Sequence, residues 1–214
     1  INLREVFVTG NPSSELEYMG GKPEQIEVNG QMIPENAERT GENEVNEEVG
    51  CFCDSNGALI SILQSDWIFR AEKLYTFQPI SQKWIVCFVL KLTDVEFERF
   101  KVQDQVVSNW PVAEKRDFSS LTGRKALCRK SLKALYSISV DEFKSKISEF
   151  STFARTENRL KDAKQYNKTC TPFTAHRLTD ETKLITCPLR AFNLVIFEQH
   201  VSNIIQIMTP VDMK

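Results

Sequence analysis

The sequence predicts an α+β fold, mainly β with some α, on three observations. Between Gly57 and Val107, short runs of β-branched and aromatic residues alternate with brief polar links, the mark of several antiparallel strands. Ser139 followed by Glu142 opens a segment in which Phe143, Ile147 and Phe150 recur at i, i+4 and i+7, as in a capped amphipathic helix. Asn29-Gly30 and Thr179-Asp180-Glu181-Thr182 each sit between two short runs of strand character, as hairpin turns do.

Taken in order, Glu5 to Thr9 (EVFVT) reads as a strand that stops at the turn Gly10-Asn11-Pro12. QIEVNGQMI reads as a hairpin, because Asn29 and Gly30 both tolerate positive φ. Glu35 to Glu48 is poor in apolar residues and reads as a flexible tip. From Gly57 on, ALISIL, DWIFRAEKL, WIVCFVL, DVEFERF and QVV give four or five short strands, a spacing that suits a small, strongly bent antiparallel barrel. After the Ser139 helix, RTENRLKDAKQYNK either extends that helix or leaves it. TCTPFTAHRL and KLITCPL form a second hairpin, FNLVIF a strand, and VSNIIQIM a short terminal helix.

The 214 residues, 41% hydrophobic and 26% charged, supply a sizeable core. The longest apolar run, Trp84 to Leu90, falls far short of the ~20 residues a bilayer span needs. INLREVFVTG lacks the design of a signal peptide, and opening on Ile1 reads as a piece excised from a longer chain. A cytoplasmic setting is therefore expected, with the six cysteines reduced and the sequon Asn167-Lys168-Thr169 unused. The net charge of −2 is unevenly spread: ten glutamates face Lys22 and Arg39 between Pro12 and Gly50, whereas residues 51–214 are mildly basic.

Few motifs carry chemistry. Cys51-x-Cys53 lacks a partner pair, and although Cys170, His176 and Cys187 lie near the second hairpin, strand alternation favours buried thiols over zinc. With His176 and His200 the sole histidines, and with no glycine elbow, phosphate loop or HExxH, neither an enzyme nor a cofactor is expected. RKALCRKSLKAL places Arg124, Lys125, Arg129, Lys130 and Lys133 together without an acid. Such a patch can meet phosphates, yet a solvated face beside an apolar one is the commoner meaning. Trp67 and Trp84 suit ligand stacking or a core equally.

GALISILQSDWIFRAEKL, with WIVCFV and DVEF behind it, resembles a Tudor domain. Ile68-Phe69-Arg70-Ala71 takes the place of the family's Trp-Tyr-Arg-Ala-like step, and Val86-Cys87-Phe88-Val89 that of its next strand. SNWPV and FSSLTGRKALC resemble the closing turn and the exit from the Tudor core. The flanks EVFVTGNPSS, FTAHRL and VSNIIQIM extend the likeness to an extended Tudor unit, an SH3-like Tudor barrel inserted into a split staphylococcal-nuclease-like (OB-like) barrel. The resemblance implies flanking halves at 1–12 and 118–214, an acidic and partly flexible insertion at 13–50, and a Tudor core at 51–117. It also implies a binding module of germline small-RNA (piRNA-type) pathways, cytoplasmic and associated with perinuclear germ granules.

Family members hold methylated arginine in a cage of aromatics and an asparagine, by cation–π attraction. Here Phe69 and Phe88 keep two walls, while Leu63, Lys91 and Thr93 replace two aromatics and the asparagine, and Leu90 and Leu92 replace the aspartate and glycine of the turn. A lysine at the mouth opposes a cationic ligand by on the order of 1 kcal/mol. The expected function is a non-catalytic scaffold that docks an unmodified peptide of a partner protein through Leu63, Trp67, Phe69, Trp84, Phe88, Lys91, Leu92 and Thr93. Lys91 would pair with an acidic group and the leucines would seat an apolar anchor. The alternatives are RNA binding through the basic 124–133 segment, expected to be weak, and methylarginine reading despite the altered cage.

Overall fold

The structure is a computed structural model that describes residues 5–10, 15–49, 52–53, 59–78, 82–108, 134–170 and 172–208. The chain begins with strands β1 (Glu5–Gly10) and β2 (Leu16–Glu17); the expected turn at Asn11-Pro12 lies outside the described residues. β3 (Gln25–Val28) and β4 (Gln31–Pro34) form the expected hairpin. Asn29 and Gly30 take φ of 52° and 78°, the consecutive left-handed values that a type I′ turn requires.

The stretch expected to be a flexible tip is helix α1 (Ala37–Glu48), capped by Asn36, whose side chain accepts from the Arg39 amide. Its buried positions are Thr40, Asn46 and Glu48, so the helix hides a polar row that carries no hydrophobic periodicity. Hydrogen bonds replace apolar burial there. Glu35 accepts from Asn43 Nδ2 at 2.7 Å and from the Thr40 hydroxyl, and Asn46 Oδ1 accepts from the Ile62 amide at 3.0 Å.

ALISIL contributes only β6 (Leu59–Ile60), paired with β5 (Phe52–Cys53). DWIFRAEKL is not one strand. Trp67–Arg70 is a single helical turn, α2, after which Ala71 becomes extended and β7 (Glu72–Gln78) begins. WIVCFVL is a strand as expected, β8 (Lys83–Val89). DVEFERF and QVV, expected as strands, are one helix, α3 (Asp94–Ser108). The reason lies in what α3 buries: Glu96, Phe100, Gln103 and Asp104 follow helical spacing, while the side chains that look alternating, such as Val95 and Val102, are exposed.

After residue 133 come β9 (Ala134–Ser139), α4 (Val140–Phe153), α5 (Arg159–Thr169), β10 (Phe173–Arg177), β11 (Asp180–Cys187) and α6 (Ala191–Met208). The Ser139 side chain accepts from the Glu142 amide at 3.1 Å, and Phe143, Ile147 and Phe150 are buried as expected. The helix ends where Ala154 turns extended, and Asn158 caps α5 as a separate helix. The second hairpin is present. FNLVIF is not a strand: with VSNIIQIM it makes the single helix α6, buried through Leu194, Ile196, Phe197 and Ile204.

The described residues thus give a mixed α+β fold with six helices and small sheets. Two units divide the chain: residues 1–18, 72–91 and 135–214, and residues 19–71 and 92–134. In the first, a sheet runs in the order β11-β10-β9-β1-β2, so EVFVT pairs with chain from beyond residue 118. β9 is buried from Ala134 to Ile138, as in a strand covered on both faces. Its core gathers Phe143 against Phe197 at 5.2 Å between ring centres, and Phe150 against Tyr166 at 5.5 Å. β2 is tied to the start of α6 through Leu16, whose amide donates to the Pro188 carbonyl and whose carbonyl accepts from the Arg190 amide. The second unit has its core at Val49, Ile62, Leu63, Trp67 and Phe100.

Candidate docking surface

The clearest site begins with seven cross-strand pairs, from Glu72↔Val89 to Gln78↔Lys83, that join β7 to β8 in the first unit. Directly paired residues share a face, so the hairpin has two distinct sides. One side carries Leu74 and Thr76, both buried, with Ile85 and Cys87. Thr76 Oγ1 lies 2.7 Å from His200 Nε2 of α6. Burial pushes the Cys87 thiol up to about 11, so it is no nucleophile at neutral pH, and burial also holds His200 below its ordinary value.

The other side carries Lys73, Tyr75 and Phe77 on β7 and Trp84, Val86 and Phe88 on β8. Here the aromatic rings meet solvent: Tyr75 is 57% exposed, Phe77 45% and Trp84 67%. Phe77 and Trp84 are paired in register, their ring centres 5.3 Å apart and tilted by 54°. Three exposed aromatic rings on one small face depart from the usual scatter of single surface apolar residues. By alternation, Glu72 and Lys83 belong to the opposite side, leaving Lys73 as the charge on this face.

The second unit holds a different polar centre. Glu96 is fully buried, and its carboxylate accepts from Arg70 Nη2 at 2.5 Å, the Gln64 amide at 2.9 Å and the Thr93 amide at 2.8 Å. Burial opposes its charge, but the Arg70 hydrogen bond and the two amides outweigh that and keep its carboxyl below the ordinary value. Arg70 is raised in turn, chiefly by its bond to Glu96. The Glu96 amide donates back to Thr93 Oγ1 at 3.2 Å, which makes Thr93 and Glu96 a reciprocal capping box at the start of α3. These bonds join α2, the Gln64 backbone and the start of α3. The centre is architectural.

The sequence-derived candidates therefore separate. Trp84, Phe88 and Lys91 belong to the first unit; Leu63, Trp67, Phe69, Leu92 and Thr93 belong to the second. Leu63 and Trp67 are core residues, 6% and 5% exposed, and Thr93 is committed to its capping box. Phe69, expected as a cage wall, projects from α2 at 89% exposure. Tyr75 and Phe77 were not among the candidates, although their alternation with Lys73 in EKLYTFQ marks one side of a strand.

Arg124, Lys125, Arg129, Lys130 and Lys133 lie outside the described residues, as does Cys51. Cys170 ends α5, Cys187 is buried at the end of β11, and His176 Nδ1 lies 3.1 Å from the Glu181 carbonyl. Among the described residues, no group of three or more histidine, cysteine or acidic side chains is placed to hold a metal, and no helix is long and apolar enough to cross a membrane. A shallow groove on α3 is lined by Asp94, Val95, Glu98, Arg99 and Val102. The chain matches no family model, no curated protein and no solved structure.

Proposed function

We propose that this chain is a non-catalytic interaction module that docks a short, unmodified peptide of a partner protein on the aromatic face of β7 and β8. The observation that carries the reading is the side-by-side exposure of Tyr75, Phe77 and Trp84 on a hairpin whose opposite side buries Leu74 and Thr76. Together these rings expose on the order of 350 Å², well under the ~800 Å² per partner of a stable protein–protein interface. A short linear segment suits that area better than a second folded domain. Aromatic anchors are also the side chains that most often dominate binding energy.

This reading keeps the scaffold role that the Tudor resemblance implies, including its barrels and a place in a germline small-RNA assembly, and moves the contact surface. Phe88 and Lys91 stay with the dock; Leu63, Trp67 and Thr93 leave it. Methylarginine recognition loses support on the same grounds, because the positions corresponding to its cage are divided between core, cap and surface roles.

The test is selection of seven-residue peptides from a displayed library, followed by calorimetry on the selected sequences. Trp84→Ala and Tyr75→Ala should each weaken binding at least tenfold, about 1.4 kcal/mol, with the fold retained by circular dichroism. Dimethylation of any arginine in those peptides should bring no gain. Equal affinity in the Trp84 and Tyr75 variants would overturn the proposal, as would tenfold tighter binding of a dimethylarginine form.

A further inference from the structure

We propose that the outer face of α5 is a second binding surface, a row of lysines that takes the phosphate backbone of a nucleic acid without regard to base sequence. The helix buries Ala163 and Tyr166 and turns Lys161, Lys164, Gln165, Lys168 and Thr169 to solvent. At about 100° per residue and 1.5 Å of rise, lysines at i, i+3 and i+7 fall within an arc of about 60° and along about 10 Å of the axis. No acid shares that arc. The one carboxylate of the helix, Asp162, accepts from the Thr156 amide and hydroxyl. Its one arginine, Arg159, reaches the Ala154 carbonyl at 2.6 Å and Glu198 at 3.5 Å. Among the described residues, the ammonium groups of Lys161, Lys164 and Lys168 have neither an ion pair nor a hydrogen bond.

A solvated helix face gains from mixing its signs, because an acid three or four residues from a lysine supports the helix and a second lysine there opposes it. In α5 the neighbours are alike: Lys161 with Lys164 at i+3, and Lys164 with Lys168 at i+4. Lys161 also stands in the first turn, at the positive end of the helix dipole. A polyanion laid along the face relieves all three oppositions. What the face lacks decides which polyanion it is. None of its exposed positions is apolar, so it has nothing to insert into a lipid surface and no pocket or ring to anchor an acidic peptide. Phosphate contacts need neither. Their affinity comes from cations that displace condensed counterions, and they carry no base information. This surface lies on a different element from the β7–β8 dock and does not depend on it.

The experiment follows the anisotropy of a fluorescein-labelled oligouridine of 20 nucleotides with the full chain, between 50 and 200 mM NaCl. Three phosphate contacts on a single strand contribute a slope of about −2 to log affinity against log salt. Lys161→Gln, Lys164→Gln and Lys168→Gln together should therefore weaken binding at least tenfold at 50 mM and make the slope shallower by about 2. Circular dichroism should show the fold retained, and arginine at the same three positions should restore both affinity and slope. A mixed-sequence oligonucleotide of equal length should bind within threefold of oligouridine. Parent-like binding by the triple glutamine variant would overturn the proposal, as would loss confined to a variant with Arg124, Lys125, Arg129, Lys130 and Lys133 made neutral. Loss in Trp84→Ala would move the nucleic acid to the hairpin and overturn it too. So would a parent chain that binds polyglutamate or phosphatidylserine vesicles but not oligouridine.

Discussion

At the residue scale, Glu96 is the buried charge that ties α3 to Arg70 of α2 in the second unit. It is a fully buried carboxylate whose partners are Arg70 and two backbone amides. Removing one member of such a set leaves a charge uncompensated, at a cost of about 3–5 kcal/mol. Glu96→Ala should lower the urea midpoint accordingly, while Thr93→Ala, which removes one cap, should cost only ~1 kcal/mol. A Glu96→Ala variant that unfolds like the parent would refute the architectural role. His200 gives a second prediction. Burial holds it below its ordinary value of 6.5, so the folded chain takes up its proton less readily than the unfolded chain. Its contribution is complete above pH 6.5 and declines as the pH falls through that value. Melting temperature should therefore drop between pH 7 and pH 5, and His200→Gln, which can still bond Thr76, should flatten that drop. An unchanged slope in the variant would count against it.

At the scale of elements, the chain relies on two kinds of helix. In α4 the propensity, cap and stripe agree: Ser139 satisfies the Glu142 amide, while Phe143, Ile147 and Phe150 are buried on one side. Phe150→Ala would empty a position packed against the Tyr166 ring and should cost about 3–5 kcal/mol. Ser139→Ala should cost ~1 kcal/mol, and denaturant titration separates the two. In α1 and α3 the buried rows are largely polar, Thr40, Asn46 and Glu48 in one and Glu96, Gln103 and Asp104 in the other. Hydrophobic periodicity is blind to such helices, which is why α1 looks like a mobile tip and α3 like two strands. The Thr93-Glu96 box was nonetheless legible. It is the same S/T-x-x-E signal that marks α4.

At the scale of the whole molecule, the first unit is assembled from three separated stretches of chain, and β1 lies between β9 and β2 in its sheet. Deleting residues 1 to 12 would remove an interior strand and open two unpaired edges. The truncated chain should melt well below the full chain or aggregate, as followed by calorimetry and light scattering. Identical melting would show that β1 is dispensable to the sheet. The β3–β4 hairpin belongs to the other unit and leaves Met32 62% exposed; its hydrogen exchange should be unaffected by the same deletion if the two units unfold separately.

What the sequence by itself determined were the features whose cause is local. The Asn29-Gly30 turn follows from two residues that accept positive φ, the α4 start from Ser139, and the strand nature of EVFVT and WIVCFVL from β-branched and aromatic density. The mixed α+β class followed from the same signals. Only the tertiary structure decided which apolar residues are interior. Trp67 and Trp84 are alike in sequence context, yet one is buried on α2 and the other exposed on β8, because only one side of the β7–β8 hairpin is covered. Likewise the joining of FNLVIF and VSNIIQIM into one helix depends on burial along Leu194, Ile196, Phe197 and Ile204, and a short apolar run reads the same as strand or buried helix until its neighbours are in place.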